Sequence, residues 1–442
     1  MQNSLLEIWE VVLAPLYLIV AYSTVLMIRK SDRRIFTLGL SAKMIGLFGF
    51  VFVYLVYYGG GDTVSYYKTA LPMLNLFYSD FSAGLSVYMH DYNPADFSYF
   101  TQETGYPLRY IFADRGTLMV SKIVMPFLIF SFKSYLLASI LIATVSYLAS
   151  WKLFGLFRVL IVGNSKLAMI AVLFIPSILF WGSGISKDTI SYASMCYFIY
   201  GMYWIVIRRR FALATILLSV LSLTLIIVIK PYIFLVLFPG ALVWIFNSSI
   251  QSIRTKFIRI SMIPFIVALS LGVFAVTFSS ISATLGDYST EKIINKAVVT
   301  QEDFKREYYG SNSFDIGTIE RTPLGVISKF PIATLYGFYG PSVLSINNIV
   351  MLFSALENTF LLLLTFGVLF RNNPLKLMNR IISEPFLAFC LMFSVFFAFG
   401  IGLTTPNYGA LVRFKIPLIP FFTILLLVLY TKAKIFNPKN EE

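Results

Sequence analysis

Charged residues are scarce in this sequence, because Asp, Glu, Lys and Arg together make up only 13% of its 442 residues. Soluble domains carry about 25%. Hydrophobic residues make up 58% of the chain, and long apolar stretches recur from one end to the other. The composition therefore excludes an ordinary soluble protein. It predicts an all-α integral membrane protein that crosses the bilayer several times.

Cysteine and histidine are nearly absent. Cys196 and Cys390 both fall in apolar stretches, and His90 is the single histidine. This supply is too small for a disulfide framework or for a metal site built from Cys and His. We therefore expect neither a metal ion nor a cofactor, and we interpret His90 as an ordinary loop residue.

Acidic residues are fewer than basic ones, and the difference gives a formal net charge of +14. In a soluble protein such an excess would indicate nucleic acid as a partner. Lys and Arg also collect in the cytoplasmic loops of membrane proteins. The clearest basic runs here, at 29–34 and 208–210, follow apolar stretches. We expect membrane lipids, and not nucleic acid, as partners.

Eleven stretches contain the roughly 17–25 mostly apolar residues that a membrane span needs. With the N-terminus outside, the basic loops between them fall on the cytoplasmic side. We therefore expect a multi-pass protein of a bacterial inner membrane, with a periplasmic N-terminus and a cytoplasmic C-terminus. The predicted spans are 5–27, 37–58, 134–157, 166–184, 189–207, 211–229, 231–247, 260–278, 349–370, 385–403 and 416–431.

The whole chain, 1–442, is predicted to form one membrane domain with two long outer loops, at 59–133 and 279–348. Loops of this length are usually functional or disordered. The aromatic content of both argues against disorder, so we expect them to be ordered over a cavity. The apolar stretch 118–132 is short and contains Pro126, and we expect it to lie at the outer surface without spanning.

The first outer loop begins with three glycines and Asp62. The glycines let the chain turn sharply as it leaves the membrane, which puts Asp62 at the boundary between lipid and water. Desolvation there can make a carboxylate a useful general base. A helix cap is the alternative, since Asp62 is equally well placed to cap a helix that begins at Thr63.

Three basic residues are predicted to lie on the outer side, against the usual bias of Lys and Arg. Lys187 and Asp188 share a very short turn, Lys230 precedes Pro231 in another, and Arg413 stands before the last predicted span. A fixed cation at this boundary suits a phosphate or diphosphate group. Snorkelling is the alternative for Lys230, and a helix cap is the alternative for Asp188.

Glu357 falls inside a predicted span, where an ionisable side chain is costly and indicates a functional site by default. Pairing with a cation on a neighbouring helix is the structural alternative. The remaining charged candidates are far apart in sequence but predicted on one face: Asp62, Lys187, Asp188, Lys230 and Arg413. A carboxylate with several cations at an outer membrane boundary fits a reaction on a lipid-linked phosphate donor.

With these residues on one side, the sequence resembles the GT-C superfamily of membrane glycosyltransferases. The likeness lies in an acidic residue after an early helix, a long first outer loop, many helices and a late outer loop. Two motif strings, from Pro176 to Asp188 and from Asn407 to Pro417, resemble those of bacterial O-antigen and exopolysaccharide polymerases. The resemblance implies transfer of a sugar or glycan from a polyprenyl-phosphate or polyprenyl-diphosphate carrier on the periplasmic side, with Asp62 as the first-loop acid.

The leading hypothesis is therefore a glycosyltransferase or polysaccharide polymerase. Asp62 would accept the proton of the acceptor hydroxyl, and the cations would neutralise the leaving phosphate. The aromatic residues Tyr66, Tyr67 and Trp181 would contact the sugar, although anchoring at the membrane interface explains them equally well. A transporter or flippase for lipid-linked oligosaccharide and a non-catalytic envelope-assembly protein are the rival hypotheses.

Overall fold

The computed structural model describes residues 6–91, 93–250, 292–304, 312–346 and 349–436, together with short runs between 261 and 276. Regular structure in these residues is helical, and the only β interactions described are two isolated bridges, Ile161 with Ile435 and Ser313 with Asn407. The predicted all-α class is confirmed.

Twenty α-helices have bounds within the described residues. They are α1 (Ile8–Ser23), α2 (Arg33–Phe52), α3 (Asp62–Ser79), α4 (Phe81–Met89), α5 (Arg109–Phe112), α6 (Arg115–Phe130), α7 (Tyr135–Leu160), α8 (Ser165–Leu173), α9 (Pro176–Trp181), α10 (Lys187–Met202), α11 (Leu213–Ile229), α12 (Pro231–Ile250), α13 (Ile293–Phe304), α14 (Pro323–Ser328), α15 (Phe330–Tyr339), α16 (Ile349–Arg371), α17 (Pro374–Ser383), α18 (Pro385–Thr404), α19 (Tyr408–Phe414) and α20 (Ile419–Thr431).

Seven helical segments of the described chain are long and apolar enough to cross a membrane. An eighth is present if α19 and α20, which meet at an angle of 72°, form one broken span. The protein is therefore a multi-pass α-helical membrane protein, although the predicted number of eleven spans is not confirmed. The seven are Ile8–Met27, Lys30–Tyr57, Tyr135–Leu160, Lys187–Ile207, Pro231–Ser249, Val350–Arg371 and Pro385–Thr404.

The predicted span 166–184 is not one continuous helix but two short ones, α8 and α9. Pro176 begins the second helix, and the residue before a proline is pushed out of the helical region, so the first helix ends ahead of it. Each part is too short to cross a bilayer alone. The predicted span 211–229 is the 17-residue helix α11, and most of 260–278 lies outside the described residues.

The predicted outer loop 59–133 is folded into helices α3 to α6. Its three glycines at 59–61 all have positive φ angles, of 63°, 157° and 120°, which confirms the sharp turn expected ahead of Asp62. The apolar stretch 118–132 belongs mostly to α6, which is not among the candidate spans. The second predicted loop, 279–348, contains α13 to α15, and its residues 279–291, 305–311 and 347–348 lie outside the described chain.

The chain divides into two compact units. In the first unit, α3 packs against α4 and α6, and in the second, α18 packs against α12, α15 and α20. Each unit thus has a helical core of its own. The first unit contains Met1–Lys152, Ile178–Cys196 and Thr224–Lys230, and the second contains Leu153–Ser177, Tyr197–Leu223 and Pro231–Glu442.

Helix α2 fixes the turn that follows α9 in the first unit. The buried Lys43 side chain donates hydrogen bonds to the carbonyl oxygens of Ile178, at 3.1 Å, and Gly182. Carbonyl groups at the end of a helix carry partial negative charge, so an ammonium group is favourable there. The backbones also approach closely, because a Cβ atom on Gly46 would lie 2.1 Å from the carbonyl oxygen of Leu179. This contact places the segment that carries Lys187.

Substitution of Gly46 by alanine should therefore destabilise the protein by about 1–3 kcal/mol, as overpacking against a backbone atom does. Gly49 lies on the same helix, and a Cβ atom there would meet only the Phe180 ring at 3.7 Å. Gly49→Ala should accordingly be tolerated. Thermal melting of the purified variants in detergent provides the measurement, and equal melting temperatures for both variants would contradict the close approach.

Candidate functional site

A buried ion pair joins two helix ends in the first unit. The Lys230 ammonium donates a hydrogen bond to the carboxylate of Asp188, and the side chains are 5% and 1% exposed. Asp188 lies in the first turn of α10, whereas Lys230 follows the last residue of α11. A helix favours negative charge at its N-terminus and positive charge at its C-terminus. Both charges therefore stand where a helix favours them.

A second ion pair lies beside the first and is more exposed. The Nζ atom of Lys187 is 3.1 Å from Oδ2 of Asp114, and the side chains are 24% and 58% exposed. Asp114 is the N-cap of α6, and its carboxylate accepts a hydrogen bond from the backbone N–H of Thr117 at 2.7 Å. Lys187 is also within the electrostatic influence of Lys230 and Asp62. The first unit thus brings four of the predicted site residues together.

Gly116 permits this arrangement. A Cβ atom at this position would lie 3.2 Å from the carbonyl oxygen of Val228, 3.3 Å from that of Ile229 and 3.4 Å from the Lys187 ammonium. The start of α6 can therefore lie against the end of α11, which puts Asp114 within reach of Lys187. Three helices begin near this cluster, and each has a carboxylate at its start: Asp62 on α3, Asp114 on α6 and Asp188 on α10.

Asp62 is the first residue of α3, and Gly61 occupies the N-cap position. The helix therefore begins at Asp62 itself, whereas the capping alternative requires a helix that begins at Thr63. The Asp62 side chain is exposed, so other parts of the described protein do not bury it. What the structure adds is electrostatic proximity to Lys187.

The three predicted aromatic contacts differ in their surroundings. Tyr66 and Trp181 are only 3% and 5% exposed, and the Trp181 ring packs edge-on against Phe180, with 4.7 Å between centroids. Tyr67 is partly exposed and donates a hydrogen bond to the carbonyl oxygen of Lys133 at 2.8 Å. Burial raises the pKa of Tyr67 to about 12, with smaller contributions from nearby acidic residues. Tyr66 and Trp181 are therefore packed in the core, whereas part of the Tyr67 side chain is accessible.

Glu357 lies in the second unit, on α16, and is 8% exposed. Its Oε2 atom accepts hydrogen bonds from the backbone N–H and the hydroxyl of Ser177, at 2.9 and 2.8 Å. Lys415 is buried and acts on Glu357 electrostatically, while its ammonium donates hydrogen bonds to Asn358 and to the carbonyl oxygen of Gly340. Glu357 therefore belongs to a buried polar network at the break between α19 and α20.

Arg413 also belongs to the second unit, where it lies on α19 and is partly exposed. The next residue, Phe414, lines a cavity of about 430 Å³. Its wall is formed mainly by apolar side chains of α12, α13 and α18, and Lys296 is the only charged residue among those that line it. Such a cavity suits a hydrocarbon chain with an anionic end.

Three polar residues of these clusters were missed from the sequence. Asp114 sits in a loop with ordinary polar neighbours, and its partner Lys187 is 73 residues away. Ser177 and Asn358 are neutral and carried no signal of their own. The described residues contain no group of three or more His, Cys, Asp or Glu side chains that could hold a metal ion.

The chain was compared with protein-family models, with curated proteins and with solved structures, and no match was found in any of the three.

The Asp114 carboxylate should contribute to stability in a pH-dependent way. Burial raises the pKa of Asp114, but the charge of Lys187 and hydrogen bonds from Thr117 outweigh it and hold the pKa below its ordinary value of 3.8. A carboxyl group of this kind stabilises the fold above its ordinary pKa, and this contribution is lost as the pH falls through the folded-state pKa. Asp114→Asn removes the charge and keeps the cap.

We expect the wild-type protein to melt at a higher temperature than Asp114→Asn, by a margin that is constant from about pH 8 to pH 5 and shrinks below about pH 4. Asp80 supplies the control, because it is also an N-cap, for α4, and no described salt bridge includes it. At neutral pH, Asp80→Asn should lower the melting temperature by less than Asp114→Asn does, because it removes no ion pair that the structure describes. An Asp114→Asn margin that is the same at neutral and acidic pH would rule out the ion pair as its source.

Proposed function

We propose that this protein is a membrane-embedded transferase that acts at the periplasmic face of a bacterial inner membrane. Its donor is a sugar or glycan linked to polyprenyl phosphate or diphosphate. The observation that carries the proposal is the convergence of Asp62, Lys187, Asp188 and Lys230 at the helix ends of the first unit. A cluster with cations and an exposed carboxylate matches transfer from a phosphate leaving group.

The two lysines have different roles in this proposal. Lys230 is buried against Asp188, and moving it toward a ligand would leave a buried charge without compensation. Lys187 is more exposed, and its partner Asp114 is largely in solvent. Asp114 is 58% exposed, so water can solvate its carboxylate when a phosphate replaces it at Lys187. Lys187 is therefore the proposed phosphate ligand, and Lys230 holds the site in place.

Asp62 is the proposed general base. Its side chain is accessible and electrostatically close to Lys187, so an acceptor hydroxyl could contact Asp62 while the donor phosphate contacts the ammonium. In the transfer step the hydroxyl oxygen forms a bond to the anomeric carbon, and its proton passes to Asp62. The bond from that carbon to the phosphate oxygen breaks, and the phosphate leaves with the electron pair. The positive charge of Lys187 stabilises the leaving group.

The second unit, considered by itself, contains an apolar cavity of about 430 Å³ that suits isoprene units, and Lys296 is the charged residue in its wall. Arg413 of the same unit precedes the cavity-lining Phe414. Its planar guanidinium group can bind two phosphate oxygens at once, which fits an amphiphile with a phosphate end.

A transporter or flippase of lipid-linked oligosaccharide is the second candidate, and a different observation favours it. Helices α19 and α20 meet at 72°, and the buried Lys415 and Glu357 lie near that break. Discontinuous helices with polar groups at the break are typical of secondary transporters. In this case Glu357 and Lys415 would be essential, and Asp62 would be dispensable.

Asp62→Asn should reduce turnover by about 10²–10⁴-fold and leave donor binding nearly unchanged, because it removes the base and little else. Lys187→Ala should weaken both donor binding and turnover, since the phosphate is charged in the ground and transition states alike. The measurement is glycan formation by purified protein in vesicles supplied with polyprenyl-linked precursor. Asp80→Asn, the same substitution at another helix start, should retain wild-type turnover.

A transport assay with the same vesicles separates the two candidates. The transferase proposal predicts that vesicles with wild-type protein or with Glu357→Gln move a fluorescent lipid-linked sugar no faster than protein-free vesicles do. Wild-type glycan formation by both Asp62→Asn and Lys187→Ala, at normal protein level, would contradict the proposed site. If Glu357→Gln then abolished lipid movement, the transporter function would replace it.

A further inference from the structure

The second unit contains another cavity, which is polar and lies at the ends of candidate membrane spans. The spans Lys187–Ile207 and Pro231–Ser249 finish there, and Pro385–Thr404 begins there. The cavity has a volume of about 370 Å³, and its walls combine polar with aromatic groups. Among the lining residues are Arg209, Ser248, Ser249, Glu384, Trp244 and Phe386.

Three consecutive arginines reach this end of the protein, and only the middle one lines the cavity. The Arg208 guanidinium lies over the Phe436 ring at 5.4 Å, and that of Arg210 lies over Trp204 at 5.1 Å. Both arginines thus make cation–π contacts. No hydrogen bond or ion pair joins the Arg209 side chain to any residue that the structure describes. The topological bias explains why basic residues are here, but not why one faces a polar cavity.

The backbone at Arg209 is strained. Its φ angle is +52°, in the left-handed region that residues with a Cβ atom rarely adopt. A π-helical turn, Tyr203–Ile207, comes just before it. Strained non-glycine residues and π-turns both occur preferentially at functional sites. With this backbone conformation Arg209 lines the cavity, whereas its two neighbours lie over aromatic rings.

We infer that this cavity binds a phosphodiester group and that Arg209 is its cation. A guanidinium group matches two phosphate oxygens with parallel hydrogen bonds, and Ser248 places a hydroxyl in the same wall. Glu384 in that wall repels multiply charged anions, which favours a singly charged diester. Phospholipid headgroups lie at the level where spans end, so a phospholipid is the expected source. This inference does not depend on the proposed transferase activity.

Thermal melting of the full-length protein in a neutral detergent tests the inference, with phosphatidylglycerol, diacylglycerol or inorganic phosphate added separately. Phosphatidylglycerol should raise the melting temperature of the wild-type protein, and diacylglycerol, which lacks the phosphate, should not. Arg209→Gly removes the guanidinium and relieves the backbone strain, so it should melt no lower than wild type without lipid. Its apparent affinity for phosphatidylglycerol should fall by about tenfold or more.

Two further variants keep the test decisive. Arg209→Lys retains the charge and loses the planar fork, so its affinity should fall between those of wild type and Arg209→Gly. Arg210→Ala removes an equal charge at the neighbouring position. The Arg210 side chain is stacked on Trp204, so its loss should act on the ligand only as a screened, distant charge. The affinity should therefore stay within about twofold of wild type.

Each outcome bears on the inference. Arg209-dependent stabilisation by phosphatidylglycerol alone supports a phospholipid, whereas the same effect with inorganic phosphate would overturn the preference for a phosphodiester. Equal stabilisation by diacylglycerol would overturn the inference, because hydrocarbon binding would explain the result. Equal losses in Arg209→Gly and Arg210→Ala would also overturn it, as would the absence of any effect in wild type.

Discussion

The buried ion pair between Asp188 and Lys230 is the constraint on which the charged cluster of the first unit depends. Removing either charge from water costs several kcal/mol, so the start of α10 and the end of α11 are held together. Lys187 directly precedes Asp188, and the pair therefore also determines where its ammonium can reach. The close approach at Gly116 then brings α6 and Asp114 beside it. The buried Asp188–Lys230 pair thus positions the more exposed Lys187–Asp114 pair.

The different exposure of these two ion pairs connects the fold to the proposed chemistry. A cation that binds a leaving phosphate has to be held in place but free to change partners. The buried pair supplies the first property, and the partly exposed Lys187–Asp114 pair supplies the second. A site with two buried pairs would be too costly to open, and one with two exposed pairs would be poorly positioned.

Hydropathy predicted the membrane class correctly because the length of an apolar stretch is a local property of the sequence. It overlooked the break at Pro176, since both sides of the break are apolar. Lys187 and Lys230 were recognised as candidates because a basic residue on the predicted outer side opposes the topological bias. Asp114 could not be recognised, because its role arises from a contact 73 residues away. The conformation of Arg209 is likewise a product of the surrounding fold.

The most direct test of this account is a double-mutant cycle on the buried pair, measured by thermal melting of the purified protein. Asp188→Asn and Lys230→Met should each destabilise the protein strongly, by about 3–5 kcal/mol, because each leaves an uncompensated buried charge. The double variant leaves none and should recover most of the loss. Losses that simply add in the double variant would contradict the account, since the two residues would then act independently.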